Sequence, residues 1–168
     1  MIQIKDTFKN EIPVITFKNV SYSWPGKNEN IINNCSFSIN KGGLWMIVGK
    51  NGSGKSTLLK LINGLLKPSN GVIDNLANVG MVFQNPDHQI LMPNCRSELL
   101  LNINQKLSRK DFTNKIDIAL NKVGLVGFNK RPIYTLSGGQ KQRLTIASSL
   151  ISNKNFILMD EPTALLDS

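Results

Sequence analysis

A glycine-rich segment of the chain has the residue types and spacing of a phosphate-binding loop. It reads Gly49-Lys50-Asn51-Gly52-Ser53-Gly54-Lys55-Ser56-Thr57 and fits the pattern G-x-x-x-x-G-K-[S/T]. Its glycines permit positive φ angles and a close approach of the backbone to phosphate oxygens. A helix beginning at Lys55 would add a partial positive charge, Lys55 would reach the β- and γ-phosphates, and Ser56 would bind Mg²⁺. The segment therefore predicts a site for a nucleoside triphosphate and magnesium, lined by Gly49, Asn51, Gly52, Ser53, Gly54, Lys55, Ser56 and Thr57.

Two adjacent carboxylates, Asp160 and Glu161, follow the apolar run Phe156-Ile157-Leu158-Met159. The run predicts a buried strand, and Asp160 at its end is suited to approach Mg²⁺ directly or through water. Glu161 would point elsewhere, because neighbouring side chains of a strand alternate between faces. One carboxylate can then hold the metal while the other orients a nucleophile. The alternative is an acidic pair at a strand end with no chemical role.

A third segment, Leu136-Ser137-Gly138-Gly139-Gln140, predicts the start of a helix. Ser137 is a favourable N-cap, and Ser137 with Gln140 fits a capping box. Gly138 and Gly139 keep side chains away from the backbone amides, so this helix start is suited to bind phosphate. The alternative is a well-capped helix with a structural role only.

The glycine-rich loop and the segment Leu136–Gln140 together resemble the ATP-binding-cassette (ABC) ATPases. The resemblance implies an α/β fold, with a P-loop NTPase core, an antiparallel β subdomain and an inserted α-helical signature subdomain. It implies that Thr57 contacts the α-phosphate and that Glu161 polarises the attacking water. It also implies that the segment Ser137–Gln140 serves ATP bound to a second subunit, so that catalysis requires a homo- or heterodimer.

Two further positions gain a role only from this resemblance. Gln84 follows a predicted strand and matches the Q-loop glutamine, which senses Mg²⁺ and the γ-phosphate. Trp24 aligns with an aromatic residue that stacks on adenine, with Tyr22 as the competing candidate.

The segment Gln84-Asn85-Pro86-Asp87-His88-Gln89 resembles the corresponding segment of the energy-coupling-factor ATPases, which drive cobalt, nickel and vitamin uptake.

Composition fits one domain of 168 residues, with 40% hydrophobic residues and a net charge of +9. The 20 Lys and Arg residues are scattered, so nucleic acid is not the expected partner. No apolar run approaches the ~18 residues of a membrane helix, and residues 1–10 lack a signal-peptide core. Cys35 and Cys95 are expected to be reduced, partly buried thiols. These features predict a cytoplasmic protein.

Hydrophobic periodicity supplies the elements that would position these residues. Pro13–Val20 and Cys35–Ile39 predict an antiparallel pair joined through the turn Pro25–Asn28. A helical region is indicated by an apolar stripe with helical spacing, formed by Phe112, Ile116, Ala119, Leu120 and Val123. The remaining predictions are a buried strand Leu44–Val48, a helix Lys55–Asn63, a turn at Asn70-Gly71, a strand Val79–Phe83 and a helix Ser137–Ile151.

This order predicts a single ABC domain over residues 1–168. Residues 1–95 would form the nucleotide-binding core with its β subdomain, 96–150 the helical signature subdomain, and 151–168 the Walker B strand and D-loop. The D-loop carries Leu165 where glycine or serine is usual. The chain ends at Ser168, before the family's switch histidine, and His88 lies in the wrong segment to replace it. We therefore expect the domain to be incomplete at its C-terminus.

The favoured function is that of an ATP-hydrolysing ABC transporter subunit on the inner face of the cell membrane. Its expected partners are a second ATPase subunit and a transmembrane subunit, and its expected cargo is a metal ion or a vitamin. Two alternatives remain open: a non-transport ABC ATPase such as an iron–sulfur assembly factor, and a binding-only remnant that supports an active partner.

Overall fold

A computed structural model describes residues 3–4, 13–103 and 108–161 of the chain. The chain divides into two compact units, residues 1–78 and 79–168. No helix in the described ranges is long and apolar enough to cross a membrane. The predicted D-loop, Ala164–Asp167, lies outside the described residues.

The first unit is built around a three-stranded antiparallel sheet of order β3-β2-β5. Its strands are β2 (Pro13–Tyr22), β3 (Ile32–Asn40) and β5 (Asn70–Asn75). Alternation along β2 buries Ile15 and Phe17, and the Phe17 ring stacks on Phe37 of β3 with centroids 4.5 Å apart. The predicted antiparallel pair is therefore confirmed.

The predicted turn at Asn70-Gly71 is wrong, because these residues begin strand β5. Gly71 has φ +84°, and a Cβ atom built on it would lie 2.4 Å from the carbonyl oxygen of Asn19. Asn19 itself has φ 50°, within a register shift of β2 against β5. An asparagine–glycine pair is typical of turns. Here the glycine instead allows two strands to approach where the pairing is irregular.

We expect Gly71→Ala to lower the free energy of unfolding by about 3 kcal/mol or more, because backbone must move to admit the methyl group. Gly26→Ala is the matched control, since Gly26 has φ +76° and no atom within 4 Å of a built Cβ. The control isolates the strain of the left-handed backbone, about 1–2 kcal/mol. Urea unfolding of both variants measures the difference, and equal losses would show that the contact with Asn19 does not matter.

The first unit also holds a short strand pair and a helix. Strand β1 (Gln3–Ile4) pairs antiparallel with β4 (Ile47–Val48). The helix α1 (Lys55–Ile62) matches its prediction and buries Leu58, Leu61 and Ile62. The prediction of a buried strand over Leu44–Val48 is wrong: Leu44 is 84% exposed and only residues 47–48 form the strand. Among the described residues β4 pairs with β1 alone, and two short strands cannot cover both faces of an apolar segment.

The second unit combines a parallel strand pair with three helices. Strand β6 (Val79–Val82) pairs with β7 (Phe156–Met159). The helices are α2 (Cys95–Leu101), α3 (Arg109–Lys122) and α4 (Gly138–Ile151), with short 3-10 turns at Pro86–His88 and Ile133–Thr135. Their core contains Cys95, Leu99, Ile116, Ala119, Leu120, Leu125, Ile133, Leu136, Leu144, Ala147 and Ile151. Three residues of the predicted apolar stripe, Ile116, Ala119 and Leu120, lie in this core.

Cys35 is half-buried, as the sequence suggests, whereas Cys95 is fully buried. Burial raises the pKa of the Cys35 thiol and of the Cys95 thiol, so both stay protonated at neutral pH. Neither forms a disulfide in the structure.

Candidate functional site

The glycine-rich loop of the first unit depends on glycine at two positions. Gly52 and Gly54 have φ angles of +78° and +95°. A Cβ on Gly54 would lie 3.0 Å from Ile32 Cδ1 and 3.2 Å from the Ile31 carbonyl oxygen. The loop closes through a hydrogen bond of 3.1 Å from the Ser53 amide to the Lys50 carbonyl. Left-handed glycines of this kind turn successive backbone N–H groups toward one point, as an anion requires.

The start of α1 differs from the starts of the other three α-helices in the described ranges. Helices α2, α3 and α4 are capped by the side chains of Asn94, Ser108 and Ser137. At α1 the N-cap is Gly54, and no side chain caps the helix. Side-chain caps normally satisfy first-turn amides, so α1 leaves them suited to a phosphate group.

The loop also holds a cation and a buried hydroxyl. Lys55 Nζ donates to the carbonyl oxygens of Gly49 and Lys50, at 3.0 and 3.1 Å. The side-chain oxygen of Ser53 is buried and has no hydrogen-bond partner in the described part of the chain. A buried polar atom normally has a partner, and a phosphate oxygen is a suitable one for this hydroxyl. The residues present therefore fit a polyphosphate.

Tyr22 and Trp24, which precede the glycine-rich loop in the chain, form an aromatic pair in the first unit. The Trp24 ring is 40% exposed and meets Tyr22 edge-on, with centroids 5.4 Å apart. Lys60 Nζ lies 5.9 Å from the centroid of the Trp24 ring. Tyr22 is only 6% exposed. Trp24 is thus the member of the pair with an accessible ring.

In the second unit, strand register brings Gln84 beside Glu161. Val82 is paired with Met159 at the ends of β6 and β7, and the Asp160 amide extends the ladder with a 3.0 Å bond to the Val82 carbonyl. Gln84 Nε2 then donates to Glu161 Oε2 at 2.7 Å. Asp160 is 6% exposed, whereas Glu161 is exposed. The two adjacent carboxylates therefore have different environments, as the sequence predicts.

Glu161 adopts an unusual backbone conformation. Its φ angle is +46°, in the left-handed region that residues with a Cβ rarely occupy. Such strain costs about 1–3 kcal/mol and is concentrated at functional sites. The conformation follows directly after β7, where it turns the chain at the residue predicted to act on water.

The segment Leu136–Gln140, called the signature segment below, leads into α4 with the predicted capping box. The Gln140 amide donates to Ser137 Oγ at 3.2 Å, and the Ser137 amide donates to Gln140 Oε1 at 3.1 Å. Ser137 and Gly138 are exposed. Ser137 Oγ is thus engaged within its own helix, and its hydroxyl proton remains available for donation to an anion.

An open groove of about 540 Å³ lies beside α4 in the second unit. Lys141 Nζ and Asp87 Oδ1 form an ion pair of 2.7 Å at its edge. Leu91 and Tyr134 are 78% and 85% exposed. The lining residues are Asp87, Ile90, Leu91, Met92, Pro93, Asn94, Lys130, Pro132, Ile133, Tyr134 and Lys141. This groove combines apolar side chains with a few charges, which suits a protein partner.

Sequence reasoning missed Glu98, which holds the backbone of two residues that line the groove. Glu98 is 4% exposed, and its Oε2 accepts hydrogen bonds from the Leu91 and Met92 amides at 3.0 and 2.9 Å. A glutamate within Ser97-Glu98-Leu99 carries no sign of burial in the sequence. Its one local signal is its place in the first turn of α2, where a carboxylate is favourable.

The predicted magnesium ligands are divided between the two units: Ser56 lies in the first, and Gln84 and Asp160 lie in the second. In the described ranges no three His, Cys, Asp or Glu residues are grouped so as to hold a metal. Mg²⁺ needs no such group, because it is bound through one or two carboxylates together with substrate phosphates and water. The hydroxyl, amide and carboxylate present are oxygen donors of the kind it prefers.

Comparison with known proteins identifies the family. Residues 32–164 match the family described as ABC transporter. The chain belongs to this family. ABC relatives include the energy-coupling factor transporter ATP-binding protein EcfA1 of Mycoplasmoides gallisepticum, 41% identical over 94% of this chain and 61% of the relative. ABC transporter I family member 10 of Arabidopsis thaliana is 42% identical over 82% of this chain and 51% of its own length. The chain thus spans between half and two thirds of these relatives.

Solved ABC structures confirm the predicted fold class. CbiO1 from Clostridium perfringens, part of the transporter complex CbiONQ, has a TM-score of 0.75 and 29% identity, covering 92% of this chain and 67% of that one. The ATP-binding cassette MJ0796, in a dimeric post-hydrolysis state with ADP and phosphate, has a TM-score of 0.78 and 28% identity, covering 92% and 76%. The α/β P-loop core with antiparallel and helical subdomains is therefore established for this ABC chain.

Proposed function

We propose that this ABC protein binds Mg-ATP, hydrolyses it as part of a dimer, and couples hydrolysis to transport across a membrane. One observation carries the proposal: a phosphate loop with two left-handed glycines enters an uncapped helix in a chain that also has a capped signature helix. The first arrangement supports phosphate binding. The second is the feature that distinguishes ABC proteins among the P-loop proteins.

In this proposal the loop 49–57 holds the three phosphates through its backbone amides. Lys55 leaves the Gly49 and Lys50 carbonyls to pair with the β- and γ-phosphates, Ser53 donates to a phosphate oxygen, and Thr57 contacts the α-phosphate. Trp24 stacks on adenine. The role of Trp24 is supported by the accessibility of its ring in a pair whose other member is buried.

For hydrolysis, Glu161 accepts a proton from the attacking water or orients it, and Gln84 holds the carboxylate in place. Ser56 and Asp160 would hold Mg²⁺, with Gln84 as a further ligand. The metal supplies neutralisation of the charge that develops on the phosphates. The buried position of Asp160 and the exposed position of Glu161 support this division of roles.

The signature segment would serve ATP held by a second ATPase subunit. Ser137, Gly138, Gly139 and Gln140 present a hydroxyl and backbone amides at the start of α4, where the helix dipole favours an anion. The MJ0796 structure is itself described as dimeric and bound to ADP and phosphate. A homodimer or a heterodimer would each place two such segments opposite two nucleotides.

The second proposed partner is a transmembrane transporter subunit seated in the groove that contains Leu91 and Tyr134. We propose that the protein lies in the cytoplasm, on the inner face of the membrane. The names of both relatives reported above refer to a transporter, which favours transport over iron–sulfur assembly. Because one of them belongs to an energy-coupling factor transporter, we propose uptake of a metal ion or a vitamin as the cargo class.

Binding of ATP and of tripolyphosphate to Trp24→Ala and Trp24→Phe tests the nucleotide assignment. We expect Trp24→Ala to weaken ATP binding about tenfold, since stacking of a base on an aromatic ring contributes about 1–3 kcal/mol. Tripolyphosphate has no base, so its affinity should not change, and Trp24→Phe should retain most of the ATP affinity. Trp45→Phe is the control at the other tryptophan. Equal ATP affinity in Trp24→Ala and the wild type, by titration calorimetry, would reject stacking at Trp24.

A further inference from the structure

Two glutamine side chains hold the residue before Gln84 from both sides. The Phe83 amide donates to Gln89 Oε1 at 3.3 Å, and the Phe83 carbonyl accepts from Gln142 Nε2 at 3.3 Å. Gln89 Nε2 also donates to the Met81 carbonyl at 3.0 Å. The backbone that leads out of β6 is thus fixed by side chains from two different segments.

Burial indicates that Gln142 is present for its polar group. It is 1% exposed, and its Oε1 is buried without a hydrogen-bond partner in the part of the chain that the structure describes. Burying an amide with one unsatisfied oxygen costs free energy, whereas methionine would fill a similar space without that cost. The bond to Phe83 is the interaction that a methionine could not make.

The bond from Gln142 to the Phe83 carbonyl lies next to the contact between Gln84 and Glu161. The next residue, Gln84, donates to Glu161 at 2.7 Å, and both lie just beyond the last paired residues of β6 and β7. Gln142 belongs to α4, two residues after the signature segment. A displacement of the Phe83 peptide would therefore change the approach of the Gln84 amide to the Glu161 carboxylate.

We propose that Gln142 and Gln89 are positioning residues that fix the Phe83 peptide and so hold Gln84 against Glu161. This inference rests on the proposed roles of Gln84 and Glu161 in ATP hydrolysis. It adds a mechanical link from the signature helix to the residue that acts on water. Neither glutamine needs to touch nucleotide or metal for this role.

The first test compares Gln142→Met and Gln89→Met with wild type in the full-length protein. We expect each variant to lower the ATP turnover number about tenfold while the dissociation constant for Mg-ATP changes less than about twofold, because the phosphate loop is untouched. Ser148→Ala is the matched control, since Ser148 is 4% exposed on the same helix and accepts from Asn102 instead. It should lose thermal stability without losing turnover per folded molecule. Equal turnover in both glutamine variants and the wild type would overturn the proposal.

The second test repeats both substitutions in a Gln84→Ala background. If the glutamines act through Gln84, neither should lower turnover further once Gln84 is removed. A further tenfold loss in that background would overturn the proposal but leave the role of Gln84 intact. Unchanged turnover in Gln84→Ala alone would reject the role of Gln84 and this inference with it. If Gln142→Met fails to fold, the same comparison can be made with Gln89→Met alone, because Gln89 is only half-buried.

Discussion

Lys55→Ala is expected to raise the dissociation constant for Mg-ATP about 100-fold. A charge-assisted hydrogen bond contributes about 1.5–3 kcal/mol, and Lys55 would make more than one to the phosphates. The substitution also removes the bonds from Lys55 Nζ to the Gly49 and Lys50 carbonyls, which help to set the shape of the loop. Titration calorimetry should show the same loss of affinity for ATP and for tripolyphosphate, because the lysine would contact the phosphates and not the base.

Lys50→Ala is the matched control for this experiment. Lys50 lies in the same loop and carries the same charge, but its side chain is exposed and only its carbonyl contacts Lys55. We expect its effect on the ATP dissociation constant to stay below about threefold, the scale of an exposed, solvent-screened charge. If the two alanine variants bind ATP equally well, the phosphate-loop assignment fails, since a general loss of positive charge would then explain the effect.

Glu161→Gln in the full-length protein is expected to preserve ATP binding and lower turnover by about 100- to 10,000-fold, the range for loss of a positioned general base. Glutamine cannot take a proton from the attacking water, but its carbonyl oxygen can still accept the bond from Gln84 Nε2. The variant should therefore accumulate as an ATP-bound dimer. Phosphate release and light scattering, with and without ATP, measure both effects.

Glu29→Gln provides the control, since it makes the same chemical change at an exposed glutamate in the loop between β2 and β3. It should match the wild type in turnover and in its oligomeric state. A Glu161→Gln variant that remains monomeric with ATP and hydrolyses it at the normal rate would refute the assigned role of Glu161.

Local chemistry explains why much of this protein follows from its sequence. The capping box at Ser137 and the helix α1 are each specified by neighbouring residues, so the predicted helix starts match the structure. The strand Phe156–Met159 follows from a short apolar run that ends at an acidic pair. The stripe on α3 follows from helical spacing. The glycine-rich loop, the capping box and the helices depend on neighbouring residues, whereas the strand Phe156–Met159 also needs its pairing with β6, which lies far away in the chain.

Some local signals were misleading because the decisive contact is not local. Asn70-Gly71 has the composition of a turn, but the Asn19 carbonyl that Gly71 must accommodate lies on another strand. Leu44–Val48 has the composition of a buried strand, but burial depends on which elements cover its faces. Composition describes what a segment can bury, and the neighbours decide whether it does so.

The sequence by itself determined the glycine-rich loop, the capping box and the acidic pair, because each is a short set of neighbouring residues with fixed spacing. The family followed from the first two of these motifs occurring in one chain. Only the tertiary structure decided which distant side chains support them. Lys141 meets Asp87 across 54 positions, Gln142 meets Phe83 across 59, and Gln84 meets Glu161 across 77. Such pairs depend on strand register and on how a helix packs. The residues around a glutamine or a lysine do not indicate which distant residue it will contact.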